Sequence, residues 1–200
     1  MPIETPQPPE DALEAVRASI ARRAPRRPRL RGGPGARGPA ASASSPTVNT
    51  RCGALTLAGE SSIEDSARAT GWRFLVEEAR EPVAAAEVHD ETGGSVPAQV
   101  TEGQFVKSTA DGLRAAEAHP SVEKATFELR TLRAPALNLV ALWLHSPDAE
   151  DLFVPLEPAP APFEAGHTYG ESEFARLSAG LAAESLERHR AAEHPDELGA

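Results

Sequence analysis

Six histidines and a single cysteine are the side chains of this 200-residue chain best suited to chemistry near neutral pH. A nucleophilic cysteine needs a rigid, electropositive seat and a positioned base. Cys52 has Arg51 and Gly53 as neighbours and follows a long Arg-, Pro-, Gly- and Ser-rich stretch, so it reads as an ordinary thiol. As the sole cysteine it allows no intrachain disulfide, which fits a reducing compartment. The histidines are His89, His119, His145, His167, His189 and His194, and no two are spaced i, i+4 as ligands on one helix face require. The pattern therefore implies no metal and no cofactor. His145 stands out, because it ends the most apolar segment of the chain two residues after Trp143. In a domain with a cavity between sheet and helix, Trp143 and His145 are expected near its mouth.

Other reaction classes find no support. No Gly-x-Ser-x-Gly nucleophile elbow occurs. The run Gly32-Gly33-Pro34-Gly35 follows no strand and opens no helix, so it cannot cradle a phosphate. Carboxylates are plentiful, as on any acidic surface, and the pattern sets none in an apolar pocket. No catalytic residue is identified.

Charge is distributed unevenly. Residues 1–51 carry nine Arg against Glu4, Glu10, Asp11 and Glu14, while the whole chain has a net charge of −10, so residues 52–200 are strongly acidic. An acidic body argues against a nucleic-acid-binding domain, beyond weak, salt-sensitive phosphate contact by the Arg-rich arm, which lacks aromatics for base stacking. No apolar run is long enough to span a bilayer, so no membrane association is expected and a cytoplasmic location is the default reading.

Among the elements that would position these side chains, residues 10–23 form an amphipathic helix in which Leu13, Val16 and Ile20 share one face. Acids open this helix, arginines close it and Pro25 stops it. Residues 1–24 are therefore read as a short helix able to dock in a partner's groove, or else to pack on its own domain. Between Ala21 and Thr50 the only large aliphatics are Leu30 and Val48. That composition cannot offset its ordering entropy, and residues 25–53 are expected to be a disordered basic linker.

Residues 54–182 are expected to form one α+β domain, a single mostly antiparallel sheet with helices packed against it. Trp72, Phe74 and Val76 alternate with Arg73 and Glu77, as in a half-buried strand. Pro82 and Gly93-Gly94 bracket a second strand from Val83 to His89, and Val96 to Val100 follows as a third. A helix is expected around Ser108 to Ala116, with Ser108 to Asp111 as a loose capping box. Phe127, Leu129 and Thr131 mark another half-buried strand. Leu137, Leu139, Ala141 and Trp143 line one face of the next strand, and Val140, Leu142 and Leu144 line the other. A strand apolar on both faces belongs at the centre of a sheet covered on both sides.

Leu152, Val154 and Leu156 form the last strand, placed at an edge by Pro155. A stiff Pro-rich connector then leads to a helix carrying Phe174, Leu177 and Leu181, and residues 183–200 are read as a polar, fraying tail. The function this organisation implies is a non-enzymatic accessory protein with a protein partner, recruited to a larger assembly through Leu13, Val16 and Ile20. The alternative is a small enzyme or ligand-binding domain using the cavity near Trp143 and His145.

Overall fold

The computed structural model describes residues 3–23, 40–49, 63–78, 81–91, 94–95 and 99–193. The strands are β1 (Ile3–Glu4), β2 (Ala40–Asn49), β3 (Arg68–Glu78), β4 (Glu81–Glu91), β5 (Gly94–Ser95), β6 (Gln99–Thr101), β7 (Phe127–Ala134), β8 (Leu139–His145), β9 (Leu152–Pro155) and β10 (Tyr169–Gly170). The α-helices are α1 (Glu10–Arg23), the single turn α2 (Ile63–Ser66), α3 (Gln104–Glu117) and α4 (Glu171–Glu193).

The α+β class holds, but the sheet is less uniform than expected. A mixed five-stranded part runs β10-β9-β8-β7-β1, and a three-stranded antiparallel part runs β3-β4-β6. Strand β2 joins them, antiparallel to β3 and parallel to β7. Ten residues of the expected disordered linker are therefore a paired strand. Large aliphatics measure how much a segment can bury, whereas a strand between two others is held first by backbone hydrogen bonds, which Ala and Ser make as well as Val does. The rest of that linker, with Cys52 and the segment up to residue 62, lies outside the described residues.

Strand β8 is the centre of the mixed part. It pairs with β7 on one side and β9 on the other. Its two faces are both covered, as the sequence pattern requires. Ala141 and Trp143 pack with Phe153, Phe174, Ala175 and Ala182 beneath α4. Leu142 and Leu144 pack with Val154, Leu156 and Ala116 beneath α3. Gly112 lets α3 approach closely, since a Cβ there would stand 2.8 Å from Leu156 Cδ2. The same helix also covers Leu75 and Ala85 through Val106 and Ala110. Helix α1 takes the opposite side of β3 and β4, over Phe74, Val76, Ala84, Ala86 and Val88. So α3 crosses one face of the sheet while α1 and α4 occupy the other.

Several element boundaries differ from expectation. Helix α3 starts at Gln104, four residues before the expected cap, and Ser108 Oγ instead accepts the Glu157 backbone N–H at 2.6 Å. Pro135–Leu137 is a 3-10 turn, so β8 begins at Leu139. The edge position expected of β9 is only partial, because β10 pairs with Leu152 and Phe153. The Pro-rich connector does not run straight. It folds back so that Gly166 N–H donates to Pro155 O at 2.9 Å and Phe163 packs 5.0 Å from Phe174, ring centre to ring centre. Helix α4 continues to Glu193, well into the expected tail. Ala, Glu, Arg and Leu are strong helix formers and carry the helix past its last buried contacts. Residues 194–200 lie outside the described residues.

Leu139 is 2% exposed and Leu142 is 1% exposed, on opposite faces of β8. Leu139→Ala and Leu142→Ala are each expected to lower stability by about 2–5 kcal/mol. Denaturant unfolding checks this, and a loss of a few tenths at either position would mean that one face is open.

Candidate functional site

The β8–β9 hairpin gathers the most connected polar cluster on the α4 side of the sheet. Asp151 precedes β9, and its carboxylate is 8% exposed. Its Oδ1 accepts the Ser146 backbone N–H at 2.9 Å, and its Oδ2 accepts the Trp143 indole N–H at 2.7 Å. His145 Nδ1 lies 3.0 Å from the same Oδ2. In the tautomer with its proton on Nδ1 the imidazole donates to this oxygen. The register that pairs Leu144 with Leu152 brings these residues together across a short turn.

The other imidazole nitrogen is directed outward. His145 Nε2 stands 3.6 Å from Glu64 Oε1 on α2. Arg130 on β7 donates to Glu64 at 3.1 Å and to Glu128 at 2.9 Å, and its guanidinium lies 4.8 Å from the centre of the Trp143 ring. Burial pulls the Arg130 pKa down, but hydrogen bonds to Glu128 and Glu64 outweigh it and hold the group above its ordinary value. The turn α2 is itself seated by Ile63, which is fully buried and whose N–H donates to Glu171 Oε1 at 3.3 Å.

This arrangement orients an imidazole as a general base or a metal-ligating histidine would be oriented. What faces Nε2, however, is a carboxylate that also pairs with an arginine. Among the described residues no group of three or more His, Cys, Asp or Glu is set to hold a metal ion. Trp143, expected at the mouth of a cavity, is 1% exposed. Phe153 stacks on it at 5.6 Å, His145 meets it edge-on at 5.8 Å, and Arg130 covers it. A depression of about 120 Å³ lies on the α3 side, lined in part by Gln104, Lys107, Asp111 and Glu157. Among its polar side chains Gln104 pairs with Glu157 and Lys107 with Asp111, which Arg114 also meets from outside the depression. The Lys107 hydrogen bond, with help from Arg114, holds the Asp111 carboxyl below the usual carboxylate range.

A second polar cluster lies under α3, and the sequence pattern does not reveal it. Arg73, expected on the solvent side of β3, is 3% exposed. It pairs with Glu87 on β4, donates to Thr109 Oγ1 at 3.1 Å and lies 4.4 Å from the centre of the Phe105 ring. Arg133 on β7 binds the other oxygen of Glu87. Strands β4 and β7 are three places apart, about 14 Å in a flat sheet. Glu87 therefore links two strands that are not neighbours in the sheet. One carboxylate serves two guanidinium groups, and Arg73 Nε has no partner. Burial pulls the Arg73 pKa down, and Glu87 only partly restores it. The signal in the sequence is faint: Arg73 and Glu87 face Thr109, a polar residue on the buried side of α3.

The N-terminal helix is where the structure departs most from free docking. Leu13, Val16 and Ile20 all belong to the cluster over β3 and β4, so α1 packs on its own sheet. Yet the face it buries most deeply is Ala12, Val16 and Ser19, while Leu13 and Ile20 are half-buried. At 100° per residue the centre of that face is rotated by roughly 60° from the centre of the Leu13, Val16 and Ile20 stripe. Leu13 and Ile20 sit on the rim, and Val16 sits beneath with Ala12 and Ser19.

Comparison with protein-family models, curated proteins and solved structures finds no match. Among the described residues no helix is long and apolar enough to cross a membrane.

Two expectations follow from the clusters. Asp151→Ala removes a buried acceptor of three donors and is expected to cost about 3 kcal/mol or more in denaturant unfolding, since the indole and backbone N–H groups are left unpaired. A loss under about 1 kcal/mol would show that water replaces the carboxylate. Glu87→Ala is expected to cost about 3–5 kcal/mol by stranding a buried guanidinium, and more than Arg133→Met, which keeps the Arg73 pair intact. Equal losses would show that the two arginines share Glu87 evenly.

Proposed function

We propose that the protein is a non-enzymatic accessory protein, brought to a larger assembly by its N-terminal helix. The observation that carries this reading is the placement of α1. Its largest aliphatic side chains, Leu13 and Ile20, are half-buried at the rim of the helix, while the residues seated deepest are Ala12, Val16 and Ser19. A helix whose sole task was to cover the sheet would turn its longest apolar side chains inward, where each gains most from burial. The partner suited to this edge is a protein with a short apolar groove that accepts residues at i and i+7. The two internal polar clusters are compatible with the same reading, because each ties elements of the fold to one another through hydrogen bonds and ion pairs.

A second reading rests on one specific observation. Asp151 orients His145 so that Nε2 faces outward toward Glu64, and a ligand that displaced Glu64 would meet a positioned imidazole. This favours a small binding or catalytic site at the end of β8.

The double change Leu13→Ser with Ile20→Ser is expected to abolish capture of the partner while lowering the melting temperature by only a few degrees. A synthetic peptide of residues 8–24 should release captured partner, and the same peptide carrying both serines should not. Capture that survives the double change and ignores the peptide would remove α1 from the interaction.

A further inference from the structure

We infer that α1 is a detachable strap, which covers the β3–β4 part of the sheet in the free protein and swings away as a unit without unfolding the rest. This rests on the reading of α1 as a recruitment helix and concerns how that helix is regulated.

Few side chains of α1 reach deep into the sheet. Within residues 10–22, Ala12, Val16 and Ser19 are the buried ones, and two of those three side chains are no larger than a hydroxymethyl group. Ser19 brings a hydroxyl into the contact, where its Oγ accepts from Arg22 at 3.0 Å rather than from any group of the sheet. The sheet surface below carries Ala84 and Ala86 beside Phe74, Val76 and Val88. On the helix side the contact buries one aliphatic side chain, Val16, and the cover it gives Phe74, Val76 and Val88 is what resists opening.

The rest of the fold is organised differently. The cluster beneath α1 is separate from the two that enclose β8, in which Trp143, Phe153, Phe174, Leu142 and Leu144 are nearly inaccessible. Losing α1 therefore uncovers Phe74, Val76 and Val88 without opening the central strand. Release also frees Val16, which is buried at 1% exposure and sits between Leu13 and Ile20 on the aliphatic stripe. Covered, the helix presents two rim side chains; released, it presents all three on one face. A partner's groove and the protein's own sheet thus compete for Val16, and the free protein keeps the full stripe hidden until that partner is present.

Hydrogen exchange on the full-length chain tests this residue by residue. Amides of α1 are expected to exchange at least about tenfold faster than those of β8, reporting local rather than global opening. Val16→Ser should speed exchange in α1 further and leave β8 unchanged. Exchange of α1 at the β8 rate, or equal acceleration of both by Val16→Ser, would overturn the proposal. The outcome is separable from the recruitment reading. If α1 opens with the whole fold while Leu13→Ser with Ile20→Ser still abolishes capture, recruitment stands and the strap fails. If α1 opens independently and capture is indifferent to those changes, the strap stands and recruitment fails.

Discussion

Strand β8 is apolar on both faces, and the rest of the structure follows from the need to cover both. A sheet face exposed at Leu142 and Leu144, or at Ala141 and Trp143, would put several large apolar side chains in water at a cost of about 1.5–3 kcal/mol each. Helix α3 answers on one side and α4 on the other. The two helices lie on opposite sides of β8 in sequence, so the chain must cross from one face to the other. The loop after β9 makes that crossing, and in folding back it brings Phe163 against Phe174 and Tyr169. What reads as a stiff spacer is thereby drawn into the core.

The charges kept inside follow a related logic. Asp151 costs much to desolvate, but it receives three donors and fixes the turn that sets β8 against β9. The Arg73, Glu87 and Arg133 cluster is less well balanced, with two cations on one carboxylate and one nitrogen unpaired. Replacing such a cluster by apolar residues is often neutral or stabilising, so its contribution is better sought in geometry than in energy. It ties β4 to β7 across two intervening strands and, through Thr109, fixes α3 over them.

How much of this is legible in the sequence depends on whether a residue's partner lies nearby. Period-two alternation marks β3 and β7, the two-faced run marks β8, and Leu13, Val16 and Ile20 mark α1, because each is a local pattern produced by a local geometry. Strand β2 escapes detection for the opposite reason. Ala40–Asn49 carries almost no apolar pattern, and its place in the sheet is set by β3 and β7, which are distant in sequence. His145 and Trp143 stand out as neighbours in a notable place, but the residue that joins them is Asp151. An aspartate after a turn gives no hint that it points inward until the hairpin register is known. Arg73 is misplaced by its pattern, because alternation identifies which residues share a face but not whether a helix covers that face.

Helix α1 shows the same limit from the other direction. Periodicity identifies its aliphatic stripe, and the stripe is real, yet the surface it buries is turned away from that stripe toward Ala12 and Ser19. A helix rolls on a sheet to the angle at which the shapes fit best, and over Ala84 and Ala86 small side chains allow the closest approach. The same position covers Phe74, Val76 and Val88, so the helix buries the apolar side chains of the sheet more fully than its own. The balance falls to close packing in the isolated chain. In a deeper apolar groove the larger side chains would decide instead, and the two positions of one helix would then differ by the surface it is offered rather than by any change in its own fold.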